Sequence, residues 1–177
     1  MIITITGDLG SGKSTVARTL AERLGYGFFS TGDAFRQLGA QRGLSVMELS
    51  ELAKTDRSID DYLDGILRNF DGGNYVIDAR MAWHFIEGSF KIYLQTDVAT
   101  AAGRIMRAGR ESEQYASQEE AAESISLRKA MEEERYRRLY GVALSDPHNF
   151  DLVLDTADLS PEETVEHILR AVSQQRN

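Results

Sequence analysis

The sequence has no cysteine among its 177 residues. A disulfide framework and a thiolate metal site are both excluded. Proline is almost missing, with only Pro147 and Pro161 present, and no proline-rich linker, internal repeat or low-complexity tract interrupts the chain. No apolar run approaches the roughly 20 residues that a membrane-spanning helix needs. Positive charge is in deficit: 28 acidic residues against 20 basic leave a net charge of −8. That balance argues against a general affinity for a nucleic acid polymer or an anionic membrane, while leaving room for a local basic cleft. His84, His148 and His167 are dispersed without metal-ligand spacing, and neither a Ser–His–Asp arrangement nor a carboxylate pair stands out. The N-terminus lacks the charged segment and apolar core of a signal peptide, so a cytoplasmic location is expected.

What is present begins at Gly7-Asp8-Leu9-Gly10-Ser11-Gly12-Lys13-Ser14-Thr15. These residues fit the phosphate-loop pattern G-x-x-x-x-G-K-[ST]. A chance match in a chain this long has odds below roughly one in a hundred. The flanks agree: residues 1–6 are a β-branched run suited to a buried strand. From Ser14 to Leu24, Val16, Ala17, Leu20, Ala21 and Leu24 share one helical face. In such a loop Gly7, Gly10, Ser11, Gly12 and Thr15 bring backbone N–H groups and a helix N-terminus to a phosphate. Lys13 adds a full charge for the β- and γ-phosphates, and the Ser14 hydroxyl can ligand Mg²⁺. ATP and Mg²⁺ are the cofactors expected.

Short apolar runs alternate with helical patterns along the rest of the chain, which predicts a parallel α/β sheet. Strands are expected at Tyr26–Ser30, Tyr75–Asp78, Phe90–Leu94 and Asp151–Asp155, making about five with the first. Helices are expected from Asp33 to Arg42 with Thr31 as cap, and from a Ser45–Glu48 capping box to Lys54. Others are expected over Asp56–Asn69, Asp97–Ala108, Glu119–Tyr140 and from Ser160-Pro161 onward. The fold class is thus a three-layer α/β/α phosphate-loop domain, one unit over 1–177. In such sheets ligands sit at the carboxyl ends of the strands.

Residues at those ends are the site candidates. Asp33 could bind a substrate hydroxyl, a base edge or a metal-bound water, and Arg36 an anion; the plain alternative is a capping carboxylate and a solvated arginine. Asp78 closes an apolar strand where a Mg²⁺-side carboxylate is usual. Arg80 would face the cleft with a planar fork suited to phosphate oxygens. Arg104, Arg107 and Arg110 are three apart, and Arg128 and Arg135 seven apart, so each set shares a helical face. The polar segment Glu111–Gln118 between them reads as part of a lid over roughly 108–138, excluding water while arginines neutralise the moving phosphoryl. Against that, Glu132, Glu133 and Glu134 can simply pair with Arg135, Arg137 and Arg138 on a solvated helix.

Taken together, Ile2 through Ala17, Ser30-Thr31-Gly32-Asp33-Ala34-Phe35-Arg36 and Val76 through Trp83 resemble the short, archaeal-type branch of the cytidylate kinases. Arg128 to Gly141, Phe150 to Thr156 and Ser160-Pro161-Glu162-Glu163 extend the resemblance over nearly the whole chain. The resemblance implies transfer of the ATP γ-phosphoryl to CMP or dCMP with Mg²⁺. By matched position it puts Asp33, Arg36 and Arg80 on the monophosphate side, Arg128 near the transferred group and Thr156 near adenine. Two departures stand out. Family members commonly have Gly before the arginine where this chain has Ala79. They often have an acidic residue, which could contact cytosine or orient the arginine, where this chain has Lys129. Lys13, Arg80, Arg128 and Asp33 are thus the expected catalytic group. Arg104, Arg107 and Thr156 join the loop in binding ATP, and Arg135 joins the acceptor side. The other readings are a kinase for dephospho-coenzyme A or a non-nucleotide alcohol, and a nucleotide-binding regulator. The protein is expected to be a monomer or weak dimer.

Overall fold

The computed structural model describes residues 1–108 and 115–175. Five strands form one sheet: β1 Ile2–Gly7, β2 Gly27–Ser30, β3 Tyr75–Asp78, β4 Phe90–Gln95 and β5 Leu152–Asp155, in the order β2-β3-β1-β4-β5. Every pairing is parallel, as a sheet built from strand–helix–strand units requires. The helices among the described residues are α1 Lys13–Leu24, α2 Thr31–Arg42, α3 Val46–Leu52, α4 Ser58–Arg68, α5 Ala82–Phe85, α6 Val98–Ala108, α7 Gln118–Tyr140 and α8 Pro161–Gln175. The α/β/α architecture expected from the sequence is the one observed.

The centre of the sheet is buried on both sides. Ile3 and Ile5 of β1 join Val76, Ile92 and Leu94 in a core closed by Val16, Ala17, Leu20 and Ala21 of α1 and by Val165, Ile168 and Val172 of α8. The apolar stripe of α1 therefore does what its spacing predicts, seating the helix that follows the phosphate loop. On the opposite face Ile77, Ala79, Ala82 and Ile86 pack with Leu67 of α4. The outlying helices have much less beneath them: Leu38, Leu49 and Ile59 are the buried apolar residues joining α2, α3 and α4. Along α7 only Ala121 and Ile125 are buried.

Register aligns the functional strand ends. Ser30 of β2 and Ile5 of β1 lie level with Asp78 of β3, and Gly7 lies level with Leu94 of β4. Local details differ from the sequence expectation at a few ends. The cap of α2 is Ser30, whose hydroxyl accepts the Asp33 N–H, because β2 hands over to helix one residue before Thr31. The α5 turn and a 3-10 turn at Pro147–Asn149 were not expected; four and three residues are too short to show helical periodicity. No helix among the described residues is long and apolar enough to cross a membrane.

Candidate active site

The loop between β1 and α1 curves around a small depression because its glycines permit it. Gly10 has φ +75°, and a Cβ there would meet the Ala101 Cα at 2.7 Å. Gly12 has φ +81° and forms the N-terminal boundary of α1 without any side-chain cap. Of the other helices, α2, α3 and α7 begin on serines whose hydroxyls accept backbone N–H groups, and Ser160 does the same for α8, whereas α4 and α5, like α1, have no side-chain cap. At α1 the start of the helix adjoins the glycine loop, and a helix N-terminus in that setting suits an anion. Leu9, Gly10, Gly12, Lys13, Ser14 and Thr15 line a depression of about 260 Å³ together with Arg104 and Ile105.

Two oxygens meet beside that depression. Ser14 Oγ donates to Asp78 Oδ2 at 2.6 Å, joining the start of α1 to the end of β3. A hydroxyl and a carboxylate brought together at the phosphate end of the loop are hard oxygen donors of the kind that suits Mg²⁺. Asp78 is buried, as a strand-end carboxylate beneath the loop must be.

Arg80 is half-buried and double-anchored: a guanidinium nitrogen donates to the Gly7 carbonyl, and Nε lies 3.1 Å from Glu132 on α7. Asp33 and Arg36 pair at 2.5 Å one turn into α2, with Arg18 of α1 at 3.5 Å from the same carboxylate. These three are exposed, so the pair contributes little to stability and is open to exchange with an anion. The capping role considered for Asp33 is limited to its backbone N–H.

Arg104 sits on the other flank. Its guanidinium donates to the Gly10 carbonyl at 3.4 Å and reaches the carbonyls of Thr156, Ala157 and Leu159 at 2.5, 3.2 and 3.3 Å. Thr156 is buried behind the loop, its hydroxyl set between the Ser11 and Gln95 carbonyls. Thr156 thus ties the loop to the β4–β5 edge, while Arg104 borders the depression itself. Arg107 is exposed one turn further along α6. Arg110 and the segment 109–114 lie outside the described residues.

Across the loop, α7 runs beside α3 and α4. Arg128, Met131, Glu132 and Arg135 of α7 line a cleft of about 530 Å³ whose other wall carries Lys54, Arg57 and Asp60. Arg135 is ion-paired with Asp60; burial works against its charge, and the Asp60 hydrogen bond and charge outweigh it and raise its pKa. Next to it Tyr140 donates to Asp64 at 2.6 Å. Burial and Asp64 push the Tyr140 phenol up, while burial, only partly offset by that hydrogen bond, pushes Asp64 up. The Tyr136 phenol is pushed up to about 12, chiefly by burial.

The structure therefore brings Gly7 to Thr15, Asp78, Arg80 and Arg104 around one centre and gathers Arg128 and Arg135 in the adjoining cleft. Sequence reasoning missed Asp8, Tyr93, Asp60 and the loop-side role of Lys129. Asp8 occupies an unspecified position of the motif, so the pattern is silent on it. Its charge was still a signal, because a carboxylate inside a phosphate-binding loop requires a cation, and Lys129 lies 2.7 Å from it.

A profile described as the cytidylate kinase-like family matches residues 2–158. A protein named cytidylate kinase from Methanothrix thermoacetophila is 38% identical over 173 residues, covering 97% of this chain and 98% of its own. One of the same name from Ignicoccus hospitalis is 40% identical, covering 96% and 97%. Among solved structures, a shikimate kinase from Bacteroides thetaiotaomicron superposes with a TM-score of 0.70 at 16% identity, covering 98% of each chain, and so has the same fold. On the profile match and the near-full-length relatives, the chain belongs to the cytidylate kinase-like family.

Proposed function

We propose that the protein is an ATP-dependent nucleoside-monophosphate kinase that moves the γ-phosphoryl of ATP to CMP or dCMP. The observation that carries this reading is the phosphate loop with an uncapped α1 opening beside an arginine-bearing cleft. The resemblance of the whole chain to proteins named cytidylate kinase supports the choice of acceptor.

In this reading the ATP phosphates lie on the N–H groups of the loop and first turn of α1, with Lys13 neutralising the β- and γ-oxygens. Arg104 borders the nucleotide, and Arg107 sits farther along the same helix. Bound at Ser14 and Asp78, Mg²⁺ would supply further neutralisation of phosphate charge. Asp33, Arg36, Arg80 and Arg135 hold the acceptor, and the residues of α7 with the segment before it, roughly 108–138, act as a lid. An acceptor phosphate oxygen attacks the γ-phosphorus, the bond to the bridging oxygen breaks, and ADP leaves. Arg128 and Arg80 stabilise charge on the group in flight, so the protein's contribution is positioning and electrostatics rather than covalent chemistry. Asp33, held by Arg36 and Arg18 in the free protein, releases Arg36 to the acceptor phosphate when that anion arrives. A single-domain monomer or weak dimer working in the cytoplasm goes with this reading.

The test is ATP consumption with Mg²⁺ against CMP, dCMP, UMP, AMP, GMP, dephospho-coenzyme A and no acceptor. Turnover confined to CMP or dCMP is expected. Turnover with dephospho-coenzyme A alone would replace the acceptor. ATP binding without turnover on any of them would favour a regulator.

A further inference from the structure

The phosphate loop and α7 are joined at two successive residues. At Gly7 the link is Arg80, which donates to the carbonyl and pairs with Glu132. At Asp8 it is Lys129, whose Nζ lies 2.7 Å from Oδ1. Residues 129 and 132 are three apart, so both links leave one face of α7. Arg128 and Arg135 border the cleft shared with α3 and α4.

Asp8 is an unusual tenant of a phosphate-binding loop. Its side chain is only 8% exposed, and it is fixed on its other sides by the Tyr93 hydroxyl at 2.9 Å and the Thr96 N–H at 3.1 Å. A buried carboxylate costs desolvation and repels phosphate unless a cation neutralises it. Lys129 supplies that cation from α7, with its stem half-exposed and its ammonium engaged by the loop. The Tyr93 phenol, raised by burial and by the Asp8 charge, stays protonated and keeps donating at neutral pH. An acidic side chain at position 129 would face Asp8 charge against charge. The departure from the usual family residue is thus matched by the carboxylate at position 8.

We propose that Lys129 is a positioning residue: its ion pair with Asp8 seats α7 on the phosphate loop in the register that presents Arg128 to the transferring phosphoryl. It takes no part in reading the acceptor's base. This rests on the kinase reading above. A seating residue acts in the transition state through Arg128, so its loss falls on kcat; a base reader acts on acceptor KM and acceptor ranking.

The experiment compares Lys129→Met, Lys129→Arg, Asp8→Asn and the Lys129→Met/Asp8→Asn double variant. Turnover is measured with CMP and UMP, and amide hydrogen exchange is followed along α7 in the ATP-bound protein. Lys129→Met is expected to lower kcat about 10-fold, a modest misplacement of a catalytic group, with acceptor KM and the CMP-over-UMP preference unchanged. Lys129→Arg recovers most of the rate. The double variant is no slower than the slower single one, because both remove the same contact. Exchange quickens around residues 126–136 in Lys129→Met while α8 stays protected. A raised acceptor KM or an altered preference at constant kcat would make Lys129 an acceptor reader and overturn the proposal, as would additive losses or unchanged exchange. Should the wild-type protein turn over no nucleotide, the kinase reading fails by itself, and the exchange measurement still decides whether Lys129 seats α7.

Discussion

On the proposed reading the site has a donor half and an acceptor half, and the two are built from different materials. On the donor side, β1, the phosphate loop and α1 stand on a core of Ile3, Ile5, Val16, Leu20, Ile92 and Leu94, and the groups offered to a ligand are mainly backbone N–H. On the acceptor side, α2, α3, α4 and α7 rest on few buried apolar residues, and α7 is tied to α4 by the polar pairs Arg135–Asp60 and Tyr140–Asp64. A backbone cradle cannot change its chemistry without changing its conformation. A wall of side chains on lightly packed helices can change residue by residue and can move. Rigidity thus sits where the invariant triphosphate would bind, and adaptability where acceptors differ.

The largest expected effect strikes the donor side. Lys13→Ala should lower turnover by about 10²–10³-fold, as loss of a preorganised charge does, while the thermal midpoint stays close to wild type. Near-normal turnover in that variant would dissolve the distinction, because the loop would then not carry the chemistry. Next in size, Gly10→Ala should destabilise the fold by about 2–5 kcal/mol in denaturant titration, combining a left-handed backbone with a contact against the backbone of α6.

Alkaline pH probes the lightly packed side. Tyr136 of α7, raised from 10 to about 12, favours its protonated form in the folded chain. Its contribution is therefore fully present below about pH 10 and lost as pH rises through 12, on the order of 2 kcal/mol. Tyr93 beneath the loop and Tyr140 are pushed higher still. Phenolate absorbance followed together with circular dichroism should show Tyr136 ionising before Tyr93 and Tyr140, and Tyr136→Phe should remove that step. Simultaneous ionisation of Tyr136 and the β4 residue Tyr93 would mean that α7 holds as firmly as the sheet. The smallest effect has the opposite sign: Gly65→Ala in α4, where an added methyl meets nothing, should stabilise by about 0.5–1 kcal/mol. Destabilisation there would show that α4 is packed more tightly than its contacts indicate.

The same division governs what could be read from the sequence. The donor side was legible because it is local: nine successive residues specify the loop, and periodicity specifies β1 and α1. Asp78 and its strand were found with their bounds, and the capping serines declared themselves, Ser45 by the glutamate three residues on and Ser160 by the proline that follows it. The acceptor side joins residues far apart in the chain. Asp60 meets Arg135 and Asp64 meets Tyr140 across about seventy-five positions, and no local pattern announces such partners. Spacing put Arg128 and Arg135 on one helix face but could not say what that face met. Spacing set Arg104 on one face with Arg107 but could not foresee its clasp on four carbonyls, because a guanidinium's task depends on the oxygens that tertiary structure brings to it.

The bare start of α1 has a thermodynamic consequence. Gly12 sits at φ +81°, where a serine would be strained, so α1 goes without the stabilisation of about 1 kcal/mol that a side-chain cap gives where the backbone allows one. That unspent stabilisation is returned when an anion docks, so occupancy and folding are linked: the melting temperature should climb with the concentration of nucleoside triphosphate rather than hold a single value. In a cell where that ligand is abundant, the ligand-free protein would be the fragile minority, and the nucleotide would serve as the missing cap as well as the phosphoryl donor.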